Sequence, residues 1–385
     1  MKIIFPFAGD SIGGSQISCV NIYNNLIAKK IDTFFVIHKE GNFKDYLEKN
    51  KINYKFLPIK NLAGENSSKI SIFLRMLLNF YKIYRFILKN NVDIIHCNTL
   101  SVNLTWAFPV IISKKKLIWH QRQPLSKSFF WKLIKYLANI VIANSKYVMS
   151  TLPSNIKNKK MIYNSFYNFN FISKNKGKEY LARNYKIRND QILIGYVGRL
   201  EESKDVLYTL KAINHLKNIK NIHFIFIGQQ NKSYQFKLEG FIKRNLLNNI
   251  TTVSNFDENN LHIIAGLDIF ISSSKNEAFG RSIVESMLLK TLVICSNKGA
   301  HKELIVNKET GYLFDKNKIK NLIDIIEYVA TSKVKNFKLI ENAYQDAKDK
   351  FCIYDTNNYI IDIDKKLKNR EAKWSNTKMN QISNY

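Results

Sequence analysis

The sequence predicts an α/β protein built on two open parallel sheets, each covered by helices. Three observations predict it. Short β-branched and aromatic runs alternate with amphipathic stretches of helical length; that alternation occurs twice along the chain; and 385 residues are enough for two domains with separate cores. An apolar share of 45% is ordinary for a chain that buries such cores.

The first series of predicted strands is KIIFPF (2–7), TFFVIH (33–38), DIIHCN (93–98), KLIWHQ (116–121) and IVIANS (140–145). Each is a compact apolar run that turns polar at its end, as strands buried on both faces do. QISCVNIYNNLIAKK (16–30) has the length and spacing of a covering helix. PSNIKNKKMIYNSFYNFNFISKNKGK (153–178) is rich in Asn, Ser and Lys and carries little period, so the chain is expected to cross between domains there. The second series is ILIGYVG (192–198), HFIFIG (223–228), ITTVSN (250–255), DIFISSS (268–274) and LVICSN (292–297), with KDVLYTLKAINHLKN (204–218) as a helix. In such sheets ligands bind beyond the carboxyl ends of the strands, so chemistry is expected just after them, in a cleft between the two domains.

Charge narrows the partners. The net charge is +30, and it is uneven: residues 1–170 hold 25 Lys/Arg against 7 Asp/Glu, and no acidic residue stands between Asp93 and Glu179. A basic first half points to an anionic partner, whether nucleic acid, anionic lipid or a phosphorylated substrate. The four cysteines are isolated, without metal-ligand or redox spacing. No apolar run reaches the roughly 18 residues that span a bilayer, and the N-terminus reads as a strand rather than a signal peptide. The expectation is a cytoplasmic protein.

Three post-strand segments carry candidate chemistry. In AGDSIGGSQIS (8–18), Gly13 and Gly14 let the backbone approach a ligand, and a helix beginning near Ser15 adds free N–H groups. In GRLEESKD (198–205), Arg199 and Lys204 are placed to flank a diphosphate; two solvated surface cations are the plainer alternative. In NEAFGRSIVESM (276–287), helical spacing starts near Phe279–Gly280, so the amides of Gly280, Arg281 and Ser282 form an anion site. Glu277 lies before that helix and Glu285 one to two turns inside it. Carboxylates on both sides of a phosphate position suit a sugar nucleotide: sugar hydroxyls at one end, ribose hydroxyls at the other. Capping explains Glu277 equally well, but leaves Glu285 in an apolar stripe without a role.

These segments resemble the group 1 (family 4) glycosyltransferases, retaining enzymes with the GT-B fold of two Rossmann-like domains. EAFGRSIVE (277–285) resembles the family's E-x7-E element, GRLEESK (198–204) its donor-phosphate element, and GDSIGGSQ (9–16) its glycine loop. WHQRQP (119–124), VIANS (141–145), IYNS (162–165) and EL…ETGYLF (303–314) follow in the family's order. The resemblance implies an N-terminal acceptor domain (1–168), a C-terminal nucleotide-sugar domain (169–350), a helix (351–372) crossing back, and a frayed tail (373–385). It implies that Glu277 binds hydroxyls of the transferred sugar, Glu285 the ribose, and Arg199 and Lys204 the diphosphate. Gly14 and the amides of Phe279 to Ser282 complete the phosphate cradle, His120 meets the sugar, and Arg122 binds an acceptor phosphate. Three positions depart from the family: Asp205 follows Lys204 where Gly is usual, Asn164–Ser165 replaces Asn-Gly, and Gly228-Gln229-Gln230 replaces G-x-G near the expected base site.

The implied activity is metal-independent, retaining hexosyl transfer from a UDP- or GDP-linked sugar to a glycan or lipid-linked acceptor in cell-surface polysaccharide synthesis. No cofactor and no metal are expected, and the lone D-x-D, Asp362-Ile363-Asp364, falls in the C-terminal tail. The stretches 70–91 and 127–140 join Lys and Arg to Phe, Trp and Leu, the make-up of helices that lie on an anionic membrane surface. A sugar-nucleotide epimerase on the same fold stays open. A nucleic-acid-binding protein lacks any RNA-recognition or zinc signature, so no nucleic acid is expected.

Overall fold

The computed structural model describes residues 1–59, 69–127, 129–166, 169–188, 190–331 and 336–352. Contacts divide the chain into two compact units, the first holding Met1–Asn144 and Leu152–Tyr167, the second Ser145–Thr151 and Asn168–Phe351. From residue 353 onward, the expected C-terminal helix, the tail and Asp362-Ile363-Asp364 lie outside the described residues.

The first unit is a seven-stranded parallel sheet: β1 (Lys2–Phe7), β2 (Asp32–Ile37), β3 (Tyr54–Phe56), β4 (Ile94–Cys97), β5 (Lys116–Gln121), β6 (Ile140–Ala143) and β7 (Lys159–Met161). Its spatial order is β3-β2-β1-β4-β5-β6-β7. The helix Gly14–Ala28 covers one face, burying Ser18, Ile22 and Leu26 at four-residue spacing, with Cys19 and Tyr23 beside them. That helix seats against Phe5, Phe7, Phe35 and Phe43, whose rings touch edge-on or tilted, as in Phe7–Phe43 with centroids 5.2 Å apart. Each ring withdrawn from water contributes roughly 1.5–3 kcal/mol.

The helix Lys69–Lys89 covers the sheet through Ile83 and Ile87, both fully buried. Its outward positions are unusual: Leu77, Leu78, Tyr81 and Leu88 are exposed, interleaved with exposed Lys82, Arg85 and Lys89. Over residues 77–89 the helix therefore has two apolar sides, one on the core and one outside. In the other basic stretch, a 3-10 turn (Phe129–Leu133) and a single helical turn (Ile134–Leu137) leave Leu133 and Tyr136 exposed. No helix among the described residues is long and apolar enough to cross a membrane.

The second unit is a six-stranded parallel sheet: β8 (Ile192–Val197), β9 (Ile222–Ile227), β10 (Thr251–Ser254), β11 (Ile269–Ser272), β12 (Leu292–Ser296) and β13 (Tyr312–Phe314). Its order is β10-β9-β8-β11-β12-β13. All ten strands read from the sequence are present within a residue or two. Three further strands, β3, β7 and β13, have three residues each and stand at sheet edges. YKF and KKM carry too few apolar residues to show a period, and edge strands bury only one side.

In each sheet the order reverses between two neighbours that are distant in sequence, β1 and β4 in the first, β8 and β11 in the second. Loops leaving such a pair diverge to opposite faces and open a crevice at the strands' carboxyl ends. The three candidate segments leave β1, β8 and β11, so the fold delivers them to those crevices.

Candidate functional site

In the second unit, the loops leaving β8 and β11 meet. Lys204 Nζ lies 2.6 Å from Glu277 Oε2, and both side chains are mostly buried, 18% and 13% exposed. The Ser274 hydroxyl donates to the same carboxylate oxygen at 3.0 Å, and the Lys275 amide donates to the Ser203 carbonyl at 2.9 Å, joining the loops along their backbones. Burial alone would favour the protonated acid, but Lys204, His301 and Ser274 together hold the Glu277 carboxyl below its ordinary range. An ionised carboxylate only accepts hydrogen bonds, so Glu277 presents a fixed acceptor for hydroxyl groups.

The Glu277 loop is pinned from several directions. Its carbonyl accepts from the Ala300 amide at 2.9 Å, and Gly299, at φ +60°, packs so close that a Cβ there would stand 2.4 Å from the same oxygen. The Ser145 hydroxyl donates to the Ala278 carbonyl at 2.5 Å. Ser145 is held in turn at the start of the short helix Lys146–Thr151, whose first amides, those of Lys146 and Tyr147, donate to the Glu303 carboxylate at 2.8 and 2.9 Å. Such support fixes geometry before any ligand arrives.

After this loop comes the helix Arg281–Leu288, capped by Gly280 in the left-handed region (φ 95°, ψ 57°). The positive φ favours glycine at position 280, and a Cβ there would also press on the Leu304 and Glu277 side chains at 3.1 and 3.3 Å. The intrahelical ladder begins with Ile283 and Val284 donating to the Gly280 carbonyl, so Gly280 stands at the positive end of the helix. Ile283, Val284, Met287 and Leu288 are buried, as their spacing predicts. Glu285 shares their buried side yet is not without a partner: its Oε1 lies 3.0 Å from Arg281 Nη2, one turn back.

Arg199 is more than half exposed and reaches Glu201 at 3.1 Å. The buried Tyr196 phenol is held well above its usual range by burial first and then by the Glu277 charge, while the Arg199 charge acts in the opposite direction. Asp205, the departure from the expected glycine, has φ 51° and ψ 46°, the left-handed conformation that glycine adopts most easily. Its carboxylate is neutralised by Lys316 at 2.8 Å; Lys316 also donates to the Ser273 carbonyl and lies over the Tyr208 ring.

The first unit collects its candidates in the crevice beside β4. Gly13 caps the helix Gly14–Ala28 with extended backbone (φ −163°), and a Cβ there would meet nothing closer than Gln16 Oε1 at 3.6 Å. Neither conformation nor packing within the protein therefore demands glycine at that position. His120, at the end of β5, and Arg122 are buried and line a small pocket with Ser18, Tyr163, Asn164 and Ser165. Arg122 is tightly held: Nε and Nη2 donate to Asn98 Oδ1 at 2.9 and 2.8 Å, and Nη1 to Asn164 Oδ1 at 2.5 Å. The His120 ring lies edge to edge with His96 of β4, Nδ1 to Nε2, at 3.2 Å.

Sequence reading did not single out His96, Asn98, Ser145, Glu303 or Lys316. His96 and Asn98 left a signal as polar residues at the end of an apolar strand, and Ser145 and Glu303 stand in the family-like elements VIANS and EL…ETGYLF without a role assigned to them. Lys316 left none and acts from a distant segment.

Two parallel α/β units of this topology define the GT-B fold of glycosyltransferases. Residues 178–346 match the family described as Glycosyl transferases group 1, and residues 12–164 that described as Glycosyltransferase Family 4. The chain is a group 1 glycosyltransferase. An uncharacterized glycosyltransferase of Methanocaldococcus jannaschii is 24% identical over 370 residues, covering 90% of this chain and 93% of that one. The capsular polysaccharide biosynthesis glycosyltransferase CapH of Staphylococcus aureus is 22% identical over 316 residues, 79% of this chain and 83% of CapH. Among solved structures, Anabaena HepE in complex with UDP-glucose superposes with a TM-score of 0.81 at 22% identity, over 96% of this chain and 100% of that one.

Proposed function

We propose that the protein transfers a hexose from a UDP- or GDP-linked donor to a hydroxyl of a glycan or lipid-linked acceptor, with retention at the anomeric carbon and without a metal ion. The observation that carries this reading is the Lys204–Glu277 pair beside the Gly280-capped helix. It offers a cation, an ionised acceptor and a helix N-terminus together, the three features a sugar diphosphate needs. Names of relatives add support for the setting: CapH belongs to capsular polysaccharide biosynthesis, and HepE binds UDP-glucose.

In this reading the amides of Phe279 to Ser282, with Arg199 and Lys204, receive the diphosphate, Glu277 accepts from sugar hydroxyls, and Glu285 accepts from the ribose. Negative charge grows on the departing diphosphate in the transition state. Groups already fixed around it stabilise that charge with little reorganisation. Lys204 then serves two partners, the Glu277 carboxylate that orients it and the phosphate it neutralises. No residue is assigned as a covalent nucleophile. Gly13 and Gly14 leave backbone open to the ligand in the first unit, and His120 faces the sugar. Arg122, engaged by two asparagines, is better suited to fixing the His120 pocket than to capturing an acceptor phosphate.

In this reading the exposed apolar and basic side chains of residues 77–89 rest on an anionic membrane surface at the inner face of a plasma membrane, with 131–137 as a second contact. The test is transfer from UDP-glucose, UDP-galactose and GDP-mannose to a membrane extract, with the anomeric configuration of the product read by NMR. Retained configuration supports the reading; an inverted product, or an isomerised nucleotide-sugar without transfer, overturns it.

A further inference from the structure

The first unit buries two histidines in contact, and their chemistry follows from the groups around them. His96 is fully buried and His120 is 3% exposed; their rings are 5° from parallel with centroids 5.4 Å apart. His120 Nδ1 faces two nitrogens, His96 Nε2 at 3.2 Å and Arg122 Nη2 at 3.4 Å. A guanidinium can only donate, so Nδ1 of His120 must be the acceptor and carry no proton. A proton there would also oppose Arg122. The same lone pair then receives the Nε2 proton of His96, and the proton of neutral His120 is left on its own Nε2.

We infer that His96 is a positioning residue that locks His120 as a neutral imidazole protonated at Nε2, so that His120 serves as a fixed hydrogen-bond donor to a sugar oxygen and not as a proton acceptor. The inference rests on the proposed placement of His120 at the transferred sugar. Two buried atoms bear it out. His120 Nε2, nine-tenths buried with its ring, has no hydrogen-bond partner among the described residues, and neither does His96 Nδ1. The first is an unpartnered donor on a residue that lines a small pocket, whose other walls include the apolar Ile22 and Ile162 as well as Arg122, Tyr163 and Asn164. The second is the bare acceptor that the donor assignment of His96 requires. Neither ring takes up a second proton readily: burial, then the Arg122 charge, brings His96 down to about 3, and the same two causes, with His96, hold His120 well below its ordinary value.

Long-range proton–nitrogen NMR of the full chain, labelled at histidine and assigned with single His→Gln variants, tests the lock without any substrate. The expected spectrum shows both rings neutral and protonated at Nε2 throughout the range in which a free imidazole titrates, about pH 5.5–7.5. A proton on Nδ1 of His120, or an imidazolium in that range, overturns the inference. His96→Gln keeps a side-chain N–H donor near the position of Nε2, whereas His96→Leu removes it. With UDP-glucose as the probe, His96→Leu is expected to lower kcat on the order of ten-fold with KM little changed, the scale of one misdirected hydrogen bond, and His96→Gln to recover most of that loss. Equal impairment of both variants overturns the donor role of His96. If the spectrum is as expected but His120→Ala leaves kcat unchanged, the lock stands and the placement of His120 at the sugar fails.

Discussion

Replacing Lys204 by Met leaves the Glu277 carboxylate in place with most of its surface buried and its cation gone. Removing one partner of a fully buried pair costs roughly 3–5 kcal/mol. With 18% and 13% of the two side chains exposed, and with Ser274 still donating, about 2–3 kcal/mol is the appropriate scale here. For a unit of this size each kcal/mol moves the melting temperature by about 2–4 °C, so a fall of about 4–12 °C is expected near pH 8. The pH dependence then separates this from ordinary loss of packing. In the wild type the Glu277 carboxyl is held below its unfolded value, so its contribution is present above that value and is lost as pH falls through the folded one. In Lys204→Met the burial that favours the protonated acid remains while the main opposing charge is gone, and the folded carboxyl titrates above the unfolded one. Its sign reverses: protonation now relieves the folded state, and the deficit shrinks on going from about pH 8 to about pH 5. The assay is thermal denaturation of wild type, Lys204→Met, Glu277→Gln and the double variant at both pH values. The double variant should recover more than half the loss. A deficit below about 0.5 kcal/mol, the scale of an exposed pair, or one that is the same at both pH values, refutes the reasoning.

Three further outcomes are expected. Lys316→Met strands the Asp205 carboxylate and should cost about 2 kcal/mol by the same logic, while Asp205→Gly, which suits φ 51°, should restore stability in the double variant; failure of that rescue in thermal melts removes the compensation. Glu285→Ala should raise the donor KM ten-fold or more with the fold intact by circular dichroism, and unchanged donor kinetics would remove its ribose role. Full-length protein should float with vesicles containing anionic lipid, less so at high salt, and Leu78→Glu with Tyr81→Glu should weaken that binding; no salt-sensitive flotation at all contradicts the membrane surface.

The sequence shows its sheets because strands buried on both faces write themselves as continuous β-branched runs. It hides β3, β7 and β13, which are three-residue edges held by a neighbour's hydrogen bonds more than by their own side chains. The chemistry divides in the same way. Lys204, Glu277 and Gly280 are visible as post-strand residues of the right type, and Gly280 even announces its helix. That Lys204 and Glu277 touch is not visible, because 73 residues separate them and only the adjacency of β8 and β11 brings them together. Glu285 looks unexplained in one dimension and finds Arg281 one helical turn away. Arg122 reads in the sequence as a cation for an acceptor phosphate; that Asn98 and Asn164 hold its guanidinium is visible only in the fold. Asp205 reads as a lost glycine; Lys316, far down the chain, shows how the exchange is accommodated.

Calorimetric titration of the full chain with UDP-, GDP- and ADP-sugars, in the presence of a chelator, puts the donor grip to its most direct test. Saturable binding of at least one nucleotide-sugar, weakened ten-fold or more by Lys204→Met and by Glu285→Ala, is the predicted result. Binding that ignores both substitutions, or none to any nucleotide-sugar, contradicts it.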